Sequence, residues 1–497
     1  MLRLHHQSDC PMGPHAISLV AAVGVVSAII EQPAAAVRPI SGKASASIND
    51  PVQTSGLRRW RLLIEVWPMS SFSRKFVRTV ALGLTAVVAL ATCLISPSFA
   101  QRDPLDLAQA GFVAKDRGDF TLAIRLFDEA LQRGLFSDKQ RGLLLYTRGV
   151  SNEALGRRDR ALSDFDAAIA LLPEFPNAYL YRGIIWGDER EYQRALQDFL
   201  TASKLNPGDP LVFNNLGNVY EKLGELDRAI ENYGLAIRLR SDYAPAYYNR
   251  ARTYVLKQDE ERAIADYDKA IALQPTYEDA YVNRAVLHVS RRDIKSALAD
   301  LDTAIRLNPR DVAALSNRAS VNLAIEKYAE ALSDFDRALT VDPGNAATYL
   351  GRGRAHLFSG AVDDSIEDFK TAVRLRPSNP YPIIWLHIAR VHKGESDRDE
   401  FEANVKAANR ETWPGAMLDM YLGLLAADEV KAAAQRGTDR DKSKRECEAS
   451  FFLGELALHN GQTQQARDAL REVTLSCGPA ETVYSAAVAE AKLLPRQ

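Results

Sequence analysis

Residues 244–277 read APAYYNRARTYVLKQDEERAIADYDKAIALQPTY, and this stretch decides the fold because its pattern recurs every 34 residues. Tyr247, Ala251 and Tyr254 lie at i, i+4 and i+7, a spacing that predicts one apolar helix face. A second set with the same spacing follows a polar break at 257–260: Ala263, Tyr267 and Ala270. The stretch therefore predicts two antiparallel helices joined by a short turn.

Small residues carry the 34-residue period through six consecutive steps. One small position in each unit is held by Gly149, Gly183, Gly217, Ala251, Ala285, Ala319 and Gly353. Twelve residues later stand Ala161, Ala195, Ala229, Ala263, Ala297, Ala331 and Ser365. A constant period of this length predicts a stacked array of one supersecondary unit. Such an array favours the holding of another protein over catalysis.

The unit resembles the tetratricopeptide repeat (TPR). In 210–243 the motif positions are held by Phe213, Leu216-Gly217, Tyr220, Ala229 and Tyr233, and a proline closes most other units. The resemblance implies an all-α fold. It also implies a right-handed superhelix, an α-solenoid of antiparallel helical hairpins with a C-terminal capping helix.

The repeat phase divides the chain. Seven phased TPR units occupy 142–378, and a first TPR-like hairpin, offset by four extra residues near 135–138, occupies 101–141. The phase is lost in 379–446, where we expect degenerate helices, among them one over 416–435 that precedes a charged loop at 436–445. A last TPR-like hairpin and the capping helix, over 480–494, are expected in 447–497.

An arginine and an aspartate change together across the units. Six units have Arg at the seventh position and Asp sixteen residues later, whereas one unit has Leu216 with the uncharged Asn232. The six pairs are Arg148–Asp164, Arg182–Asp198, Arg250–Asp266, Arg284–Asp300, Arg318–Asp334 and Arg352–Asp368. We therefore predict an ion pair inside each hairpin rather than a basic ligand-binding stripe.

The charge balance argues against nucleic acid as the ligand. Residues 1–100 carry nine basic and four acidic side chains, whereas the rest carries 53 basic and 60 acidic ones. A mildly acidic array lacks the basic field that nucleic-acid binding needs.

Residues 69–100 have the pattern of a secretory signal peptide. A short basic segment from Met69 precedes the apolar stretch 79–95, and small residues at Ser98 and Ala100 predict cleavage before Gln101. Residues 1–68 would then be an over-extended gene start or a disordered segment. An uncleaved membrane tether through 79–95 is the alternative, and lipidation of Cys93 is a weaker one because Thr92 precedes it.

Two cysteines, Cys447 and Cys477, follow the predicted cleavage point. They flank the last hairpin, where antiparallel helices bring both positions to the same end, and we expect a disulfide there. Two unpaired thiols are the alternative.

The sequence contains no pattern typical of a catalytic or cofactor site. It lacks a phosphate-binding loop, a nucleophile elbow and a paired CxxC motif, so we expect no enzyme activity and no cofactor. His387 and His392 are five residues apart, which misses the i, i+4 spacing of a helical metal pair, so no metal is predicted.

The resemblance implies that one row of asparagines faces a concave groove. Amides both donate and accept hydrogen bonds, and such a row would suit an extended peptide; an ordinary role in the scaffold is the alternative. The candidate peptide-binding residues are Asn215, Asn218, Asn249, Arg252, Asn283, Asn317 and Arg354.

These patterns predict an exported TPR scaffold that binds protein or peptide partners in a bacterial periplasm or envelope, similar to exported proteins of the NlpI type. A homo-oligomer is compatible with the sequence. A membrane-tethered or cytoplasmic co-chaperone-like adaptor is one alternative. A hydrolase with an unrecognised C-terminal site is the other.

Overall fold

The computed structural model describes residues 103–478 and 483–493, and these residues form helices and no strand. They divide into two compact units, 103–185 and 186–493, whose boundary falls within helix α5. The helices are α1 (Pro104–Asp116), α2 (Phe120–Arg133), α3 (Asp138–Ala154), α4 (Arg158–Leu171), α5 (Pro176–Asp188), α6 (Tyr192–Leu205), α7 (Pro210–Lys222), α8 (Leu226–Leu239), α9 (Ala244–Leu256), α10 (Glu260–Leu273), α11 (Glu278–Ser290), α12 (Ile294–Leu307), α13 (Val312–Ala324), α14 (Tyr328–Val341), α15 (Ala346–Phe358), α16 (Val362–Leu375), α17 (Pro380–Lys393), α18 (Arg398–Val405), α19 (Gly415–Tyr421), α20 (Ala427–Ala434), α21 (Asp439–His459), α22 (Thr463–Ser476) and α23 (Tyr484–Leu493).

Consecutive helices pack as hairpins, as the period predicts. In the first unit α1 packs on α2 and α3 on α4; in the second, pairs such as α7–α8, α9–α10 and α11–α12 do the same. The all-α solenoid of antiparallel hairpins is confirmed.

The small residues make room for aromatic rings from the second helix of each hairpin. A Cβ added at Gly353 would lie 2.6 Å from Cε1 of Phe369, a distance that excludes any larger side chain. The aromatic residues at this position of the second helices are all at most 2% exposed: Phe165, Phe199, Tyr233, Tyr267, Phe335 and Phe369. Burial of rings of this size supplies much of the apolar stabilisation of each hairpin.

Left-handed backbone joins the two helices of most hairpins. Glycine holds this position at Gly118, Gly156, Gly224 and Gly360, whereas Arg190, Gln258, Arg292 and Glu326 adopt a φ of 62–64° there. A side chain in this conformation costs about 1 kcal/mol or more relative to glycine.

The predicted Arg–Asp pairing is confirmed in five hairpins. In α9–α10, Arg250 donates from Nε and Nη2 to the Asp266 carboxylate at 2.7 and 2.8 Å. Equivalent contacts join Arg148 to Asp164, Arg284 to Asp300, Arg318 to Asp334 and Arg352 to Asp368.

Four of these arginines, and Arg182, also contact an aspartate of the preceding hairpin, a contact that the sequence analysis did not predict. Arg284 donates from Nη1 to Asp268 at 2.6 Å. The other pairs are Arg148–Asp128, Arg182–Asp166, Arg318–Asp302 and Arg352–Asp336. Arg250 has no such partner because Gly234 stands where Asp268 stands one unit later. The signal was present in the sequence as the recurrent Asp-x-Asp doublet.

The region after the regular array differs from the expectation in two places. The single helix expected over 416–435 is wrong, because α19 and α20 are separated by a turn with Gly423 at a φ of 75°. The loop expected over 436–445 is also wrong. Thr438 forms a capping box with Asp441, and α21 begins at Asp439.

Two buried aromatic contacts organise this region. Trp385 of α17 is 2% exposed and lies against Phe369, Phe451 and Phe452. Trp413 and Tyr381 donate to Glu448, a carboxylate that is 1% exposed.

Cys447 and Cys477 form a disulfide with their Cα atoms 5.9 Å apart.

The signal peptide expected at 69–100 and the segment 1–68 lie outside the described residues, as do 479–482 of the expected capping helix. Within 103–478 and 483–493, no helix is both long and apolar enough to cross a membrane.

Candidate functional site

The first helices of the hairpins contact one another within the second unit. Contacts join α7 to α9, α11 to α13 and α13 to α15. We call the surface formed by α7, α9, α11, α13 and α15 the first-helix face. All seven predicted peptide-binding residues belong to these helices, Asn218 and Asn215 on α7 and Arg354 on α15 at the two ends.

Two of the predicted asparagines bond to the preceding hairpin. Asn249 Nδ2 donates to Asn214 Oδ1 at 3.1 Å, and Asn283 Nδ2 donates to the Tyr248 hydroxyl at 3.0 Å. Each bond spans 35 residues and therefore links neighbouring units. These contacts use the amide hydrogens, so the side-chain oxygens remain as acceptors for a ligand N–H. Asn215 instead donates to the carbonyl of Leu211 in its own helix at 3.0 Å.

Charged and hydroxyl groups extend this network. Arg252 donates to Glu221 at 3.1 Å, and Thr253 donates to the other Glu221 oxygen at 2.7 Å. The Tyr233 hydroxyl donates to Asn218 at 2.8 Å. Burial raises the pKa of Tyr233 well above its usual value. Arg252 is thus an ion-pair partner inside the face, and its charge is already compensated.

The structure places the last two predicted residues apart from this network. Asn317 and Arg354 are 7% and 6% exposed. Burial lowers the pKa of Arg354 to about 10, and its Nε has no hydrogen-bond partner among the described residues. Its guanidinium lies 5.7 Å from the centre of the Trp385 ring, within the range of a cation–π contact.

The C-terminal helix α23 contacts the part of the first-helix face that α13 and α15 form. It also packs against α22, as a capping helix should. Lys492 pairs with Glu326, and Arg292 donates from Nη2 to the carbonyl of Cys477 at 3.1 Å. Glu326 and Arg292 are two of the residues with left-handed backbone, so their strained turns also hold the C-terminal segment.

A histidine and two glutamates meet where α17, α21 and α23 converge. His392 Nε2 lies 3.4 Å from Glu455 Oε2 and 3.5 Å from Glu490 Oε1. Burial, together with the charge of Glu455, raises the pKa of Glu490 to about 8. Burial lowers the pKa of His392, but the two carboxylates outweigh it and raise that pKa above its usual value. His387 is not part of this cluster, because its Nδ1 lies 3.0 Å from Asp397.

No sequence pattern predicted this cluster. Glu455 and Glu490 are 63 and 98 residues from His392 in the sequence, so no local spacing indicates them. The sequence offers one weak signal: Glu490 lies in α23, whose other residues are largely apolar.

Comparison with known proteins identifies the repeat. A family model described as the ETO1 C-terminal domain matches residues 140–396, just over half of the chain.

The chain is similar to YrrB, described as a TPR protein with an unusual peptide-binding site, at 26% identity over 37% of this chain and 95% of YrrB, with a TM-score of 0.33. A tetratricopeptide repeat protein from Parabacteroides merdae matches at 22% identity over 50% of this chain and 99% of its own, with a TM-score of 0.40. The pilF protein of Pseudomonas aeruginosa matches at 18% identity over 42% and 94%, with a TM-score of 0.39.

Proposed function

The chain belongs to the ETO1 C-terminal domain family and is a tetratricopeptide-repeat protein, and from this premise we propose that its first-helix face binds a segment of a partner protein. Repeat arrays of this kind are scaffolds for protein or peptide binding. We propose further that the scaffold is not an enzyme and that it acts in a bacterial periplasm or envelope.

The observation that carries this proposal is the position of α23. A helix from outside the regular hairpins contacts α13 and α15 on the first-helix face. The neighbouring helices α7, α9 and α11 carry the polar contacts of Asn249, Arg252 and Asn283, and we propose that the partner segment contacts the face there.

The chemistry of this stretch suits an extended peptide. Asn249 and Asn283 have side-chain oxygens that accept no hydrogen bond from the described residues, while their N–H groups are held by Asn214 and Tyr248. The acceptors are therefore oriented before a ligand arrives, which reduces the entropy lost on binding. Because amide oxygens would contact peptide N–H groups rather than side chains, we expect tolerance of many peptide sequences.

Site-specific photocrosslinking tests the face directly. A photoreactive amino acid at Asn249 or Asn283 in the full chain, expressed in its own host, should capture a partner. The same group at Asn232, on the second helix α8, should not; Asn232 bonds only to its own helix, through Arg228. Equal capture from Asn232 and from the face would remove the proposal.

Export is tested separately. N-terminal sequencing of the protein from the periplasmic fraction should begin at Gln101 if residues 69–100 are cleaved. Recovery only from the cytoplasm, or of membrane-bound chains that retain 79–95, would favour the co-chaperone-like or tethered alternative and would leave the binding face unaffected.

A further inference from the structure

A cluster of buried acidic groups contains none of the predicted peptide-binding residues and has no role in the proposed function. Glu455 of α21 and Glu490 of α23 are 5% and 4% exposed, and His392 of α17 is the third member. One ligand atom from each of the three residues lies within 4.8 Å of the others.

Two carboxyl groups face one imidazole in this cluster, and no lysine or arginine among the described side chains pairs with either glutamate. Buried carboxylates normally have a cation or a full set of hydrogen-bond donors, because leaving water otherwise costs several kcal/mol. A cation at this point would allow both carboxyl groups to be ionised.

One oxygen in the cluster has no hydrogen-bond partner in 103–478 or 483–493. Glu455 Oε1 is buried and makes no hydrogen bond, while Oε2 of the same carboxylate faces His392. A buried acceptor without a donor is rare in a folded protein, and a bound water or ion is one way to satisfy it.

The distances fit metal coordination better than direct hydrogen bonding. Hydrogen bonds between nitrogen and oxygen are usually about 2.7–3.2 Å long. In a tetrahedral zinc site with bonds of about 2.0–2.2 Å, neighbouring ligand atoms lie about 3.3–3.6 Å apart. The two N···O distances at His392, 3.4 and 3.5 Å, fall in the second range.

We propose that His392, Glu455 and Glu490 bind one divalent transition-metal ion of the zinc class. Imidazole nitrogen and carboxylate oxygen are both zinc ligands, and three protein ligands leave the fourth tetrahedral position for water. The site has one nitrogen ligand and few oxygen ligands. This disfavours Mg²⁺ and Ca²⁺, which need six or more oxygen ligands. His392 is 24% exposed at its side chain, so the ion has a route from solvent.

The ion would join three helices that are distant in the sequence. Because α23 also contacts α13 and α15, metal binding would fix the segment that lies on the first-helix face. This consequence does not depend on whether a partner binds at α7–α11.

Metal binding to the full chain tests the site. Equilibrium dialysis with elemental analysis, and competition with a chromogenic chelator, should give one tightly bound Zn²⁺. Glu490→Gln should weaken it by at least about 100-fold, since loss of even an outer-sphere partner costs about 10–100-fold. His387→Gln, in the same helix but paired with Asp397, is the matched control and should bind Zn²⁺ normally.

Thermal unfolding of the same variants gives a second measurement. Without metal, Glu490→Gln should be as stable as the natural chain or more so, because a neutral amide replaces a buried carboxyl group. With saturating Zn²⁺ the order should reverse. A normal melt without metal also shows that the variant folds.

Three results would overturn the proposal. These are Zn²⁺ binding that Glu490→Gln and Glu455→Gln leave unchanged, binding of Mg²⁺ with equal affinity, and the absence of stoichiometric Zn²⁺. Binding that survives both variants would be assigned to other donors, such as His5, His6 and Cys10 near the N-terminus.

Discussion

The hairpins from α7 to α16 and the region from α17 to α23 belong to the same compact unit but are held together differently. In the hairpins one contact recurs: an arginine joins an aspartate of its own hairpin and, in α11–α16, one of the preceding hairpin. In the later region each polar contact occurs once, as in the Glu448 acceptor and the single disulfide. Repeated contacts tolerate loss of a copy, whereas unique contacts have no substitute.

Removal of the disulfide should cause the largest loss of stability, and the loss should be confined to the later region. Replacing Cys447 and Cys477 by serine should cost about 3–4 kcal/mol of stability, because the bond closes a 30-residue loop in the unfolded chain. Hydrogen exchange should show the loss in α21 and α22, while α9–α14 remain protected. Equal loss of protection in both regions would break the comparison.

Loss of one shared arginine should have the next largest effect. Arg284→Leu should lower the free energy of unfolding by about 2–3 kcal/mol, because Asp300 is left buried without its cation. The loss should be smaller than for a fully buried ion pair, because Arg284 is partly exposed. Adding Asp300→Asn should restore much of this, since the chain already uses Leu216 with Asn232.

The same cycle at Arg250 and Asp266 provides the control. Arg250 has only one acidic partner, so its replacement should cost slightly less than that of Arg284. Urea unfolding measures both cycles, and strictly additive losses in either would contradict the pairing.

Glu448→Gln tests a unique contact of the later region. The amide keeps one acceptor oxygen for Tyr381 or Trp413 but removes the charge from both bonds. We expect a loss of about 1–2 kcal/mol, because hydrogen bonds to charged acceptors are the stronger ones. The near-ultraviolet circular dichroism of Trp413 should change with it; an unchanged spectrum and melting temperature would show that the carboxylate is dispensable.

The smallest expected effect is an increase in stability. Gln258→Gly should stabilise the protein by about 0.5–1 kcal/mol, because Gln258 adopts left-handed backbone at a φ of 62°. The same change at Glu326 should gain less, since it also removes the ion pair with Lys492. Thermal melts that show equal gains would mean that the contact of α23 with this turn contributes nothing.

Most of the hairpin architecture could be predicted from the sequence, because the same residue types recur at the same positions of each unit. A pattern that is weak in one unit is therefore supported by the others. The Arg284–Asp300 pair was predictable for the same reason. The second aspartate, Asp268, was missed because its meaning depends on the next unit rather than its own. The cluster of His392 with Glu490 could not be predicted, since no periodicity connects residues 98 positions apart.

The candidate binding residues show the same limit. Their place on the first helices followed from the repeat, and the structure puts all seven there. That Arg252 is paired with Glu221, and that Arg354 is buried near α17, depends on side chains in neighbouring hairpins. Whether these residues bind a peptide stays a prediction.

The arginines shared between hairpins also determine how this unit should come apart. Each of Arg284, Arg318 and Arg352 loses half of its salt bridge when the hairpin before it opens, so α10–α16 should melt as one cooperative block. The chain interrupts this coupling three times: where Leu200 and Leu216 replace the acid and the arginine, at Gly234, and where Lys370 and Leu386 replace them again. Under force or heat the array should separate first at these three junctions.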